Sequence, residues 1–171
     1  SYISFFLFFS YSIVFLYMIN WRMMMNLEQC VEEVELALDD LVEENMSVAV
    51  IVEGKKDKQA LQTLGLTGCI ITINKGKSLS DFADEVIMHH QKVIILSDWD
   101  RRGGSLCRRL KELFKGRIDF DVEIRQRLSK FAMIKKVEGI PSWLETVYIR
   151  MDESKVNHDS SSKKNNSSID I

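Results

Sequence analysis

From Leu27 to Val42 apolar side chains return at Leu27, Val31, Val34, Leu38, Leu41 and Val42, the three-and-four spacing of a helix, with acidic residues filling the other face. This predicts an amphipathic helix over residues 26–45 that docks by its apolar stripe. The period then changes. Val48–Val52 is an unbroken, largely β-branched run closed by Glu53-Gly54, the pattern of a strand buried on both faces. After it come a helix over Asp57–Leu64 ended by Gly65, a second strand over Cys69–Ile73 and the loop Asn74–Lys77. A helix then runs to His89 with Ser80 as its N-cap, followed by a third strand at Val93–Leu96, a helix at Leu106–Phe114 and a fourth strand at Phe120–Ile124. Strands alternating with single helices require crossover connections. The fold class expected is therefore α/β: a Rossmann-like, mainly parallel four-stranded sheet with helices on both faces, preceded by an amphipathic helix.

The flanks read differently. Ile3–Ile19 is almost wholly aromatic and aliphatic, and its 17 residues stand at the lower limit for spanning a bilayer. No basic stretch precedes it and no cleavage site follows, so it is a poor secretory signal. Residues 1–24 are read as an apolar leader, an upstream extension or else a membrane anchor, and a membrane partner is expected only if that leader is retained. The core domain is expected over 47–125. A C-terminal extension over 126–150, holding the single proline Pro141, packs on it through a short helix, and 151–171 reads as a disordered tail of Ser, Asn, Lys and Asp.

Charge sharpens this picture. The net formal charge is only −2, yet residues 26–45 carry eight acidic and no basic side chains, while 101–136 carry twelve basic against four acidic. A nearly neutral protein can thus still offer a positive surface to a polyanion. Cys30, Cys69 and Cys107 are widely spaced without a C-x-x-C pair, which argues against a zinc knuckle or disulfide framework and fits a cytoplasmic setting. His89-His90 are helical neighbours and do not share a face, so they make a poor metal pair.

The candidate chemistry lies at strand ends. Glu53 closes the first strand, and the third runs into Ser97-Asp98-Trp99-Asp100-Arg101-Arg102-Gly103-Gly104. If the strand continues through them, Asp98 and Asp100 point the same way, and Glu53 joins them where strands one and three pair. Carboxylates so crowded repel unless protons or hard cations neutralise them, and magnesium, one or two ions, is the natural partner because it takes oxygen ligands and bridges them to phosphates. Lys55, Lys56, Arg101 and Arg102 surround this point with positive charge, and Gly103 opens the following helix toward a phosphate. A lone D-x-D is more often a helix cap than a metal site; the two motifs at matching strand ends carry the specificity.

Val50-Ile51-Val52-Glu53-Gly54-Lys55-Lys56-Asp57 followed by Ser97-Asp98-Trp99-Asp100-Arg101-Arg102-Gly103 resembles the two signature motifs of the TOPRIM domain family, over about residues 47–125. That family includes topoisomerases, bacterial-type primases, recombination proteins, nucleases and the ribonuclease that matures 5S ribosomal RNA. The likeness is greatest to small stand-alone archaeal members and to that ribonuclease type, and the archaeal members share a segment similar to Val137-Glu138-Gly139-Ile140. The resemblance implies that Glu53 is a general acid/base and metal ligand, and that Asp98 and Asp100 bind magnesium. It implies nothing for Trp99 or Arg101. Departures limit it: Tyr2, Tyr11 and Tyr17 fall in the leader and Tyr148 stands alone near the end, so no topoisomerase nucleophile domain is evident. Gly76-Lys77-Ser78 ends like a Walker A loop, but Ile71 stands where its first glycine belongs.

Two functions fit these residues. One is a magnesium-dependent, nuclease-like protein acting on RNA or DNA; the other is a module that grips a phosphate backbone without cutting it. Either leaves room for a protein partner that completes the site. Trp99 suits both, stacking on a base or covering the sheet edge.

Overall fold

Residues on alternate positions of a strand face opposite sides of a sheet, and here both sides are covered. The computed structural model describes residues 26–73 and 76–165. Its order is α1 (26–45), β1 (Ala49–Val52), α2 (Lys55–Thr63), β2 (Ile70–Thr72), α3 (Leu79–His89), β3 (Lys92–Ile95), α4 (Arg101–Phe114), β4 (Asp119–Asp121), α5 (Glu123–Phe131), a 3₁₀ turn (Val137–Gly139) and α6 (Ile140–Asn165). The four strands form one sheet in the order β2-β1-β3-β4, and every pairing is parallel. This is the α/β architecture expected from the alternating pattern.

Val50, Val52, Ile94 and Leu96 face one layer, packed with Val34 and Leu41 of α1, Leu61 of α2, Leu128 of α5 and Ile140 of α6. Ala49, Ile51, Val93 and Ile95 face the other, against Phe82 and Val86 of α3 and Leu110 and Phe114 of α4. The stripe of α1 docks as its spacing requires: Val31, Val34, Leu38 and Leu41 are buried. Its acidic face is tied at the edges, by Lys92 to Glu44 at 3.2 Å and by Arg127 to Asp40.

Several boundaries differ from the expectation, each through a local polar contact. Helix α2 begins at Lys55, because the Asp57 carboxylate reaches back to the Gly54 N–H at 2.9 Å and caps the turn. The cap of α3 is Ser78 rather than Ser80: its hydroxyl accepts from the Asp81 N–H at 3.1 Å. Helix α4 starts at Arg101, five residues before the expected Leu106, since Asp100 caps it. The fourth strand stops at Asp121, whose carboxylate accepts the Glu123 N–H and opens α5, so Ile124 is helical rather than extended. Ile124 and Leu128, one turn apart and both buried, are the signal of that helix.

Helix α6 buries Ile140, Leu144 and Val147 and continues through Asn165, where the sequence reading places a disordered tail from 151. No glycine or proline interrupts that stretch, and Ser154 bonds back to the Met151 carbonyl. The apolar leader, the loop residues 74–75 and residues 166–171 lie outside the described residues. Among the described residues no helix is long and apolar enough to cross a membrane.

Candidate metal and phosphate site

The register Ile51↔Ile95 puts the carboxyl ends of β1 and β3 side by side, so the chain emerging from each passes the other. Glu53 leaves β1 there and its Oε1 accepts the Asp98 N–H at 3.1 Å. Asp98, nearly buried, turns its Oδ1 to the Val137 N–H at 2.8 Å. The Asp100 Oδ1 accepts the Gly103 N–H at 2.8 Å. The extended geometry expected for 98–100 is thus corrected: β3 ends at Ile95, and the two aspartates are aimed by amides on different segments rather than by strand alternation. Between them Trp99 goes inward. Its backbone N–H donates to the Lys135 carbonyl at 3.1 Å, its indole N–H donates to the Ile134 carbonyl, and its ring packs on the core, so of its two expected roles it takes the covering one.

The three carboxylates nevertheless open onto one cavity of about 580 Å³. Its wall also carries Asp57 and Glu138, which sequence reasoning left without a role, and five basic side chains: Lys55, Lys56, Arg102, Arg109 and Lys136. Arg102, Ser105 and Arg109 stand at i, i+3 and i+7 of α4 and so form one stripe facing the acidic cluster. That periodicity was legible in the sequence; the arrival of Lys136 and Glu138 was not, because it depends on where the C-terminal segment docks. Two expected phosphate contacts are not brought in. Arg101 is exposed and lies outside the cavity wall, and the Gly103 amide is committed to Asp100. Gly103 is required for another reason: a Cβ there would stand 1.9 Å from the Asp98 carbonyl oxygen.

Burial and crowding set the electrostatics. The Glu53 carboxyl is held above the usual range, first by desolvation and next by the Asp98 charge, with Asp57 and Asp100 adding to it and the Asp98 amide opposing. Asp98 is raised by burial against the Val137 amide, with Asp57 and Asp100 contributing. Asp57 is raised by burial, and Glu138 is the charge beside it. Among the described residues no three acidic, histidine or cysteine side chains converge as a ready coordination sphere. Each of Glu53, Asp98 and Asp100 instead gives one oxygen to an amide while lining the same cavity. Oxygen donors of this kind suit magnesium, which usually keeps several waters and takes only one or two carboxylates directly.

A larger hollow of about 790 Å³ adjoins this one across Glu53, Gly54 and Lys55 and runs along β2 and α3 past Phe82 to His89 and His90. It holds neither aspartate of the 98–100 loop.

The family model of the Toprim domain matches residues 48–138. The UPF0292 protein of Thermoplasma volcanium is 34% identical over 102 residues, covering 59% of this chain and 86% of that one. The UPF0292 protein of Methanocaldococcus jannaschii is 32% identical over 124 residues, covering 70% and 96%. A solved protein from Aquifex aeolicus superposes with a TM-score of 0.53 at 29% identity, over 60% of this chain and 93% of its own.

Proposed function

Since the chain belongs to the Toprim domain family, we propose that it acts on nucleic acid in a magnesium-dependent manner, hydrolysing or transferring a phosphodiester bond. The observation that carries this is the shared cavity, where Glu53, Asp98 and Asp100 meet Lys55, Lys56, Arg102, Arg109 and Lys136. Negative side chains that only gripped a backbone would oppose the phosphates; set among cations and beside a divalent ion they suit a reacting phosphate. Asp98 and Asp100, with Glu53, would hold magnesium. Bound there, it would supply charge neutralisation at phosphoryl oxygens and a lowered pKa for water.

This chain's own residues would do the rest. Lys55, Lys56 and Arg102 would draw in the phosphate backbone, and Arg109 on α4 and Lys136 ahead of the 3₁₀ turn would extend the grip. Glu53, whose carboxyl is pushed toward neutrality by burial and by Asp98, suits proton transfer to or from the reacting oxygen. Its Oε1 is steadied by the Asp98 N–H, which leaves Oε2 for that work. A cytoplasmic setting accords with the free Cys30, Cys69 and Cys107.

The test is incubation of the purified chain with end-labelled structured RNA and DNA, with and without magnesium, beside Glu53→Gln. The expected outcome is magnesium-dependent cleavage by wild type, lowered by about 10² or more in Glu53→Gln, with binding changed only a few fold. No cleavage of any substrate, together with equal or tighter binding by Glu53→Gln, would leave the non-catalytic binding module as the function.

A further inference from the structure

The Asp98 carboxylate is aimed by the loop that carries it, and that loop is held from behind by one side chain. Arg125 of α5 donates from Nε to the Ser97 carbonyl at 3.0 Å and to the Ser97 hydroxyl at 3.1 Å, and from Nη2 to the Asp98 carbonyl at 2.7 Å. The Ser97 hydroxyl in turn donates to the Gly103 carbonyl at 2.9 Å, tying the start of α4 into the same knot. Arg125 is absent from the cavity that holds the carboxylates. It lines a separate small hollow with Gly104, Cys107 and Val122 on the far side of the α4 N-terminus. Its planar fork is used on backbone and hydroxyl oxygens, so it is not disposed to bind a phosphate in the site.

We propose that Arg125 is the positioning residue of the site: it clamps the Ser97-Asp98 backbone so that the Asp98 carboxylate meets the Val137 amide with one oxygen and presents the other to the cation. The inference rests on the proposed function for the cation, while the clamp itself is read independently of it. The fork matters as much as the charge. A lysine ammonium at 125 is a point donor and cannot hold two carbonyls in one plane.

The test uses the full chain as wild type, Arg125→Gln, Arg125→Lys and Arg127→Gln, the last removing an arginine of the same helix that pairs with Asp40 instead. Two measurements are made at a temperature where every variant is folded: calorimetric titration with magnesium alone, and hydrogen exchange at the Val137 amide. Arg125→Gln is expected to weaken magnesium binding by about tenfold or more, the usual size for a lost outer-shell partner, and to speed Val137 exchange by a similar factor. Arg125→Lys should fall between, and Arg127→Gln should change neither. A lowered melting temperature with unchanged affinity and unchanged Val137 exchange would make Arg125 merely structural and overturn the proposal. If wild type binds no magnesium, the proposed function fails, and Val137 exchange still decides whether Arg125 aims Asp98. Should Arg125→Gln not fold, Arg125→Lys and Ser97→Ala, which lacks the hydroxyl acceptor, carry the same two readouts with intermediate changes expected.

Discussion

The two ends of the sheet solve the same problem with opposite results. At the amino end Asn45, 1% exposed, donates to the Val48 carbonyl at 3.2 Å and the Cys69 carbonyl at 3.0 Å and accepts the Gly68 N–H at 2.9 Å. At the carboxyl end Glu53, Asp57 and Asp98 each accept a backbone amide, stay ionisable, and are crowded enough that all three carboxyls are raised. Even the glycine device is repeated: a Cβ at Gly68 would come 1.8 Å from the Asn45 carbonyl, as one at Gly103 would come 1.9 Å from that of Asp98. A neutral amide with its bonds filled closes one end; crowded ionisable carboxyls line an open cavity at the other. Buried polarity becomes a candidate site where like charges are left facing one another.

The largest effects break both ends alike. Gly103→Ala and Gly68→Ala each push a methyl into backbone that cannot retreat, and each should cost about 3 kcal/mol or more, measured as a loss of cooperative thermal unfolding. The next separates them. Asn45→Ala removes three hydrogen bonds, taking the side-chain partner from the Gly68 amide and the Val48 carbonyl while the Cys69 carbonyl keeps the Val50 N–H, and should cost about 2–3 kcal/mol in denaturant melts. Asp98→Asn keeps an oxygen for the Val137 amide and removes a like charge, so its melting temperature should be unchanged or higher while magnesium affinity falls at least about tenfold. A cold Asn45→Ala or a strongly destabilised Asp98→Asn would erase the distinction.

The smallest effect sharpens it. Glu53, Asp57 and Asp98 have folded pKa values above their unfolded ones, so in that window the native state binds more protons than the unfolded chain and stability falls as pH rises through it. Their contribution in the metal-free protein should therefore grow as pH is lowered from 7 into the raised carboxylate range, and cease growing below the ordinary values. Magnesium should flatten the profile by stabilising the charged forms. Melting curves across pH for wild type and a Glu53→Gln, Asp57→Asn, Asp98→Asn triple variant check this: the triple variant should lose that part of the slope, and an unchanged slope would mean the raised values lie elsewhere.

The strands and the acidic helix were legible because one-dimensional periodicity reports burial directly: Val50–Val52 and Val93–Ile95 pack on both faces, and the α1 stripe packs on one. Glu53 and Asp98 were legible because strand register is regular enough to bring matching ends together. What escaped depends on contacts distant in sequence or on single caps. For Asp100 the sequence left an extended and a capping role open, and its bond to the Gly103 amide shows the cap. The α5 helix hid behind the apolar reading of Phe120–Ile124, and Arg125 behind α5. Nothing local in Val137 says that its amide will meet a carboxylate 39 residues earlier.

That last bond has a temporal meaning. A ribosome adds about 5–20 residues per second, so the 39 residues separating Asp98 from Val137 correspond to about 2–8 s of synthesis. During that interval the sheet strands through β3 exist as chain, but the aspartate lacks the amide that aims it, and Lys136 and Glu138 have yet to reach the cavity wall. A growing chain beside messenger and ribosomal RNA therefore carries the motif residues before it carries the site.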